Sequence, residues 1–225
     1  SSNPFGSFGF GQGLGNGPNT LFWNKAGATF KLTATDPEGQ ATGIFGDGQQ
    51  ANVINDGLFE ITAPLTATGL RNLSDPTFSV TNNGVWKVTA TTNWAIGISS
   101  LGAITNTGTI DVAAGGKATA VIIAGTGTTL GKSSMIKATS NGVRPSVAVE
   151  FLAGGSVTNA ASGMIDGDFA FTERNGSFTS PGSVQDIDNA GTINGIVDTG
   201  LNADDVQNTG VINGMVALGE GADTY

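Results

Sequence analysis

Three pairs of acids, Asp166/Asp168, Asp186/Asp188 and Asp204/Asp205, are the residues of this chain whose type and spacing could do chemistry. Carboxylates two apart on a strand point to the same face. A facing pair of carboxyl groups is what glycosidic hydrolysis uses, so a cleft lined by such a pair would cut a polysaccharide. The supporting machinery is thin. The sequence has no His and no Cys, which removes the commonest general base, the commonest metal ligand and the thiolate nucleophile together. Arginine is confined to Arg71, Arg144 and Arg174, so a lyase-type base is hard to place. Solvated acids are the simpler reading, and the expectation is a chain that is not an enzyme.

Two other stretches look chemical and fail on spacing. Gly125 to Ser134, G-T-G-T-T-L-G-K-S-S, has the look of a phosphate loop. Such a loop needs four residues between its first Gly and G-K-[ST], then a helix; Gly125 to Gly131 breaks that spacing, and no helical period follows. Thr89, Thr91 and Thr92 do not fall on a regular repeat, so an ordinary β surface is preferred to an ice-binding face. Charge narrows the partners. Residues 1–150 carry eight acids and eight bases, while residues 151–225 carry ten acids and one base, so the whole net charge of −9 lies in the last third. Nucleic acid is excluded as a partner, because phosphate binding needs clustered Lys and Arg. The acidic third suits cation binding or a solvated face. No apolar run approaches the ~18 residues of a membrane span.

The elements that must position these residues announce themselves as a repeated phrase, apolar-x-Asn-x-Gly-x-apolar. It reads V-I-N-D-G-L-F-E-I from Val53, V-T-N-N-G-V-W-K-V from Val80, I-T-N-T-G-T-I-D-V from Ile104, I-D-N-A-G-T-I-N-G from Ile187 and V-Q-N-T-G-V-I-N-G from Val206. Recurrence once per few tens of residues marks stacked repeats. The marker asparagines are Asn24, Asn55, Asn82, Asn106, Asn159, Asn189 and Asn208, with Lys132 where one is missing; the steps are 31, 27, 24, 26, 27, 30 and 19. A second signal follows the early markers: A-T-G-I at Ala41, A-T-G-L at Ala67, A-I-G-I at Ala95, A-T-A-V at Ala118, and V-A-V-E-F from Val147 in the next coil. Each coil therefore has at least two strands, and a less regular third face closes the turn. Gly, 36 of 225 residues and without a G-X-Y period, suits many short strands and tight turns.

Strand alternation divides the phrase into an inside and an outside. It puts Val53, Asn55, Phe59 and Ile61 inside, with Asp56 and Glu60 outside. Four residues after the marker an apolar column reads Phe59, Trp86, Ile110, Ile136, Ile193 and Ile212. An inward Asn must be hydrogen-bonded. At a corner it can bond the local backbone or the Asn of the next coil, forming a ladder along the stack. The marker asparagines are thus a device of the fold rather than a ligand site.

The ends differ from the middle. Residues 1–20 are Gly-rich with Phe5, Phe8 and Phe10, and read as a flexible leader or as a cap over the first coil. Residues 21–225 read as the solenoid, with a more acidic, shorter-period part from about residue 151. There, residues 187–205 and 206–224 share nine identities. The chain starts at Ser1 without Met and stops in mid-pattern, which suggests a piece of a longer protein.

Three elements carry a resemblance: A-T-G-I-F-G-D-G from Ala41, the N-x-G-x-I phrases, and I-N-G-x-V…G-x-G-x-D from Ile212. On these, roughly residues 21–225 resemble the passenger domains of bacterial autotransporters. The resemblance implies an all-β, right-handed parallel β-helix of about eight irregular coils. It also implies an extracellular or cell-surface location on a Gram-negative bacterium, with membrane attachment only through a barrel outside this chain. The expected role is a non-catalytic scaffold, either an adhesin segment or a self-assembling filament or stalk subunit; a polysaccharide-binding or polysaccharide-degrading β-helix is the alternative. Expected partners are further copies, or glycans and proteins of cell surfaces and matrix. One motif points to a cofactor. G-L-N-A-D-D-V (Gly200 to Val206) and G-E-G-A-D-T-Y (Gly219 to Tyr225) both fit G-x-[GN]-x-D-x-apolar, which is similar to a calcium-binding nonapeptide, and nominate Asp204 and Asp223. The competing reading is a plain turn with an exposed Asp, and no other cofactor is expected.

Overall fold

Apolar residues on one parity of each short strand leave the chain a single way to bury them, which is to wind and stack. The computed structural model describes residues 20–46, 51–125, 129–131, 134–173 and 184–225. The Phe/Gly leader with Phe5, Phe8 and Phe10, together with Lys132 and Arg174, lies outside the described residues. The fold is an all-β parallel solenoid, and the described residues contain no helix.

Each turn has three faces. The first is an eight-stranded parallel sheet of Thr20–Asn24, Ala51–Asn55, Ser79–Asn82, Ile104–Asn106, Thr129–Gly131, Gly155–Asn159, Gln185–Asn189 and Asp205–Asn208. The second face begins with Thr29–Thr33, Leu58–Ala63, Val85–Ala90, Thr109–Ala114 and Met135–Ser140; the third begins with Gln40–Gly46, Thr66–Asn72, Trp94–Ser100, Ala118–Ile123 and Val147–Phe151. Each repeated phrase therefore holds two strands and the corner between them, and the A-T-G-I signal is the third face. That face is as regular as the others in the early coils.

The second and third faces join into one 14-stranded sheet through a bent strand, Met164–Glu173. Its first part pairs with Met135–Ser140, its second part with Val147–Phe151, and the register slips between Asp166 and Phe169. Thr192–Asp198 spans both faces in the same way. This corrects the expected count of about eight coils. The first face has eight strands, but the solenoid makes about six full turns. The bend at Met164–Glu173 falls in a coil of 30 residues, so it does not come from a short coil; in the 19-residue coil that follows Asn189 the bend recurs at Thr192–Asp198, and the final third side shrinks to Val216–Ala217.

Stacking in register builds the core. Phe30, Phe59, Trp86, Ile110, Ile136, Ile165, Ile193 and Ile212 occupy successive partner positions on the second face. All from Phe59 to Ile193 are fully buried. Phe30 stacks on Phe59 at 4.8 Å and Phe59 on Trp86 at 3.8 Å between ring centroids. The glycine of the A-x-G signal makes room for these rings. A Cβ on Gly43 would stand 2.7 Å from Phe59 Cζ, and one on Gly69 would strike Trp86 Nε1 and the Gly97 carbonyl. Where the column changes from aromatic to Ile110, the signal changes from Gly97 to Ala120.

Candidate functional surfaces

The marker asparagines sit at the ends of first-face strands, where the chain turns. Their side chains are linked up the stack: Asn24 Nδ2 donates to Asn55 Oδ1, Asn55 to Asn82 and Asn82 to Asn106, each at 2.7 Å. The series resumes with Asn159 to Asn189 and Asn189 to Asn208, again at 2.7 Å. The same amides also reach a backbone carbonyl in the next coil, such as Asn55 Nδ2 to Val85 O at 3.0 Å. The ladder residues through Asn189 are buried, while Asn208 is exposed. The ladder holds corners in register, and its rungs through Asn189 present nothing outward.

An outward column that sequence reading missed lies one residue beyond the core column. Lys31, Glu60, Lys87, Asp111, Lys137 and Asp166 are successive partners, followed by Asn194 and Asn213. The charge alternates without exception from Lys31 to Asp166. Lys31 Nζ lies 2.8 Å from Glu60 and Lys137 Nζ lies 4.0 Å from Asp166. The Lys31 hydrogen bond holds the Glu60 carboxyl below its usual range. The signal was available, because the residue after each core position reads Lys, Glu, Lys, Asp, Lys, Asp, Asn, Asn once the corners of unequal length are aligned.

The acid pairs separate in three dimensions. Asp166 faces Lys137, while Asp168 lies within the register slip and accepts from Ser146 N at 2.8 Å and Ser146 Oγ at 2.9 Å. Asp186 and Asp188 do share the outer side of the first face, and Asp205 of the next coil stands beside Asp186. Partial burial, then the charges of Asp188 and Asp205, raises the pKa of Asp186. Asp204 points inward and is 1% exposed, away from Asp205.

The two calcium-like motifs do stack, through bridges from Leu201 to Glu220 and from Asp205 to Thr224. Their carboxylates serve the backbone. Asp204 Oδ1 accepts Gln185 N–H at 2.8 Å, and Asp223 Oδ1 accepts Asp204 N–H at 3.0 Å. Each Asp thus reaches back one coil to the same position in the strand register. Burial, together with the charges of Asp223 and Glu173, raises the Asp204 pKa against the hydrogen bond from Gln185 N–H. Among the described residues no three His, Cys, Asp or Glu side chains converge, and both Asp204 and Asp223 spend a carboxylate oxygen on a backbone N–H.

Neighbouring hollows lie at the third face. Ile96, Thr119, Val147 and Phe169 form one column of partners there, and Ser99, Ile122, Glu150 and Thr172 the next; of these Ile96, Phe169 and Thr172 are half-buried and the rest are buried. Two hollows, of about 300 and 310 Å³, share Lys117 and Arg144 as a common wall. Trp94, Ile96 and Thr119 line one; Val147, Glu150, Phe169 and Thr172 line the other. Lys117 Nζ pairs with Glu150 at 2.9 Å, and the Arg144 guanidinium lies 5.4 Å from the centre of the Trp94 ring. Sequence reading passed over these residues because they belong to no motif and stand in different coils. No protein-family model, curated protein or solved structure matches this chain.

Proposed function

We propose that the chain is a non-catalytic scaffold of a bacterial surface protein, displayed outside a Gram-negative cell as an adhesin segment or as a subunit of a filament or stalk. The observation that carries this reading is the continuity of its stack. An amide ladder, an apolar column and an alternating charge column run in register through coil after coil. Such a stack resists bending, since each coil is held by both neighbours. Eight rungs at the usual strand spacing of ~4.8 Å make a rod about 34 Å long. Stability drawn from continuous pairing also suits an exported chain with no Cys to form disulfides. The resemblance to autotransporter passengers supplies the surface location, and the partners are further copies or surface and matrix molecules.

Protease shaving of intact cells that express the full-length protein tests the location. Release of fragments from this region supports display; protection until lysis refutes it. Sedimentation velocity and electron microscopy of the purified chain separate the two roles. Filaments growing with concentration support self-assembly, and monodisperse particles at all concentrations remove that form and leave the adhesin.

A further inference from the structure

The third-face hollows lie along the solenoid axis. Trp94, Lys117, Arg144 and Phe169 come from four consecutive coils, at or just before neighbouring strands. Three strand spacings separate the first coil from the last, about 14 Å. The trough therefore suits an extended, ribbon-like ligand lying along the axis.

Its chemistry is mixed in a particular way. Lys117 and Arg144 meet Glu150 and Glu173 here, and Glu173 accepts the Leu201 N–H at 3.0 Å. Lys117 is committed to buried Glu150. Arg144 is exposed on the 141–146 corner, beside Val143, which is fully exposed, and no described carboxylate pairs with it. The guanidinium lies over the Trp94 ring, 5.4 Å from its centre, and Arg144 as a residue is exposed. A planar fork of donors recognises carboxylates. Phe169, half-buried in the neighbouring hollow, gives an apolar surface, and Thr172 lines the same hollow, its hydroxyl donating to the Glu173 carbonyl at 3.2 Å and free to accept. Carboxylate recognition next to a flat apolar surface and hydroxyl partners is the complement of a sugar acid.

We propose that this trough binds a strand of a uronate polysaccharide, with a sugar carboxylate on Arg144 and a pyranose face on Phe169. Trp94 acts as a positioning residue for Arg144. The proposal rests on the reading of the solenoid as an exposed surface scaffold, and its test is independent of that reading.

The test is calorimetric titration of the whole chain with a β-1,4-linked mannuronate hexasaccharide, with mannohexaose as the uncharged match and hexaglutamate as an acidic peptide. Mannuronate is expected to bind, mannohexaose at least about tenfold more weakly. Arg144→Gln and Trp94→Ala should each weaken mannuronate binding about tenfold, and Arg144→Lys should not restore it, because an ammonium lacks the fork. The Arg144→Gln melting curve should match the parent, since the side chain is exposed. No binding of mannuronate, equal binding of the uncharged hexamer, equal binding of hexaglutamate, or indifference to Arg144→Gln overturns the proposal. Protease shaving reports the surface reading alone, so each can fail without the other.

Discussion

In the coil of residues 79–100 the second face buries Trp86 and shows Lys87 to solvent between Glu60 and Asp111. In the coil of residues 185–198 the matching positions are Ile193 and Asn194, between Asp166 and Asn213. The register is the same and the contents are not. Early coils have three separate strands, aromatic cores and alternating charge. Late coils have bent strands, isoleucine in place of the aromatic residues of the second-face column, and acids stacked on acids, as Asp186 on Asp205. One winding rule therefore yields a charge-alternating half and an acidic half, which differ in side chains and in the backbone bends of the late strands.

The comparison breaks most visibly at the core column. Trp86→Ala empties the centre of the aromatic stack and should cost about 3–5 kcal/mol. Ile212→Ala, in a last coil where that side chain is only partly covered, should cost about 1 kcal/mol. Urea midpoints of the two variants measure this, and equal losses would show that the late coils are as tightly held as the early ones.

A smaller contrast sits in the amide ladder. Asn55→Ala leaves Asn82 Oδ1 and the Val85 carbonyl without their donor and should cost about 1–3 kcal/mol. Asn208→Ala removes an exposed terminal rung and should cost under about 1 kcal/mol. Thermal melts decide, and a large loss from Asn208→Ala would mean that the ladder end is covered in solution.

Much of this was legible beforehand, and the reason is periodicity. An apolar residue four after each marker, and an Asn at each corner, recur because every coil meets the same neighbours. The three-sided turn was less legible, because the corner inside V-I-N-D-G-L-F-E-I keeps strand parity and hides the break between Asn55 and Leu58. The turn count was only approximate, about six against the expected eight, and the bend between Asp166 and Phe169 is a backbone feature that composition does not show. The third-face trough was illegible for a different cause. Trp94, Lys117, Arg144 and Phe169 meet across coils whose lengths differ, so no spacing links them.

Acid separates the halves by sign. Asp56, hydrogen-bonded by Asn83 and Trp23, and Glu60, bonded by Lys31, titrate below their ordinary values. Their contribution is present at neutral pH and is lost as pH falls through those lowered values. Asp186 and Asp204 titrate above 3.8, chiefly because burial disfavours the charge. Their penalty is present at neutral pH and is relieved as pH falls through the raised values, completely so below 3.8. On acidification the late coils should therefore tighten before the early coils loosen. Hydrogen exchange at individual amides from pH 7 downward measures this, and parallel loss of protection in both halves would refute it.

The finest contrast is the charge column, which alternates through Asp166 and then stops at Asn194. Asn194→Lys would give Asp166 a base on each side, since its partners are Lys137 and position 194. The gain should be small. Cross-strand opposite charges contribute a few tenths of a kcal/mol, solvent screens the pair, and the Asn213 Nδ2 to Asn194 Oδ1 bond of 2.9 Å is lost. A net gain of about 0.3 kcal/mol is expected at low salt, falling towards zero as salt rises. A double-mutant cycle with Asp166→Asn isolates the pair from the lost amide bond. Coupling near zero at low salt would mean that alternation in the early coils sets which strands pair rather than how strongly they hold. Lys87→Glu would then be expected to shift pairing before it lowers stability.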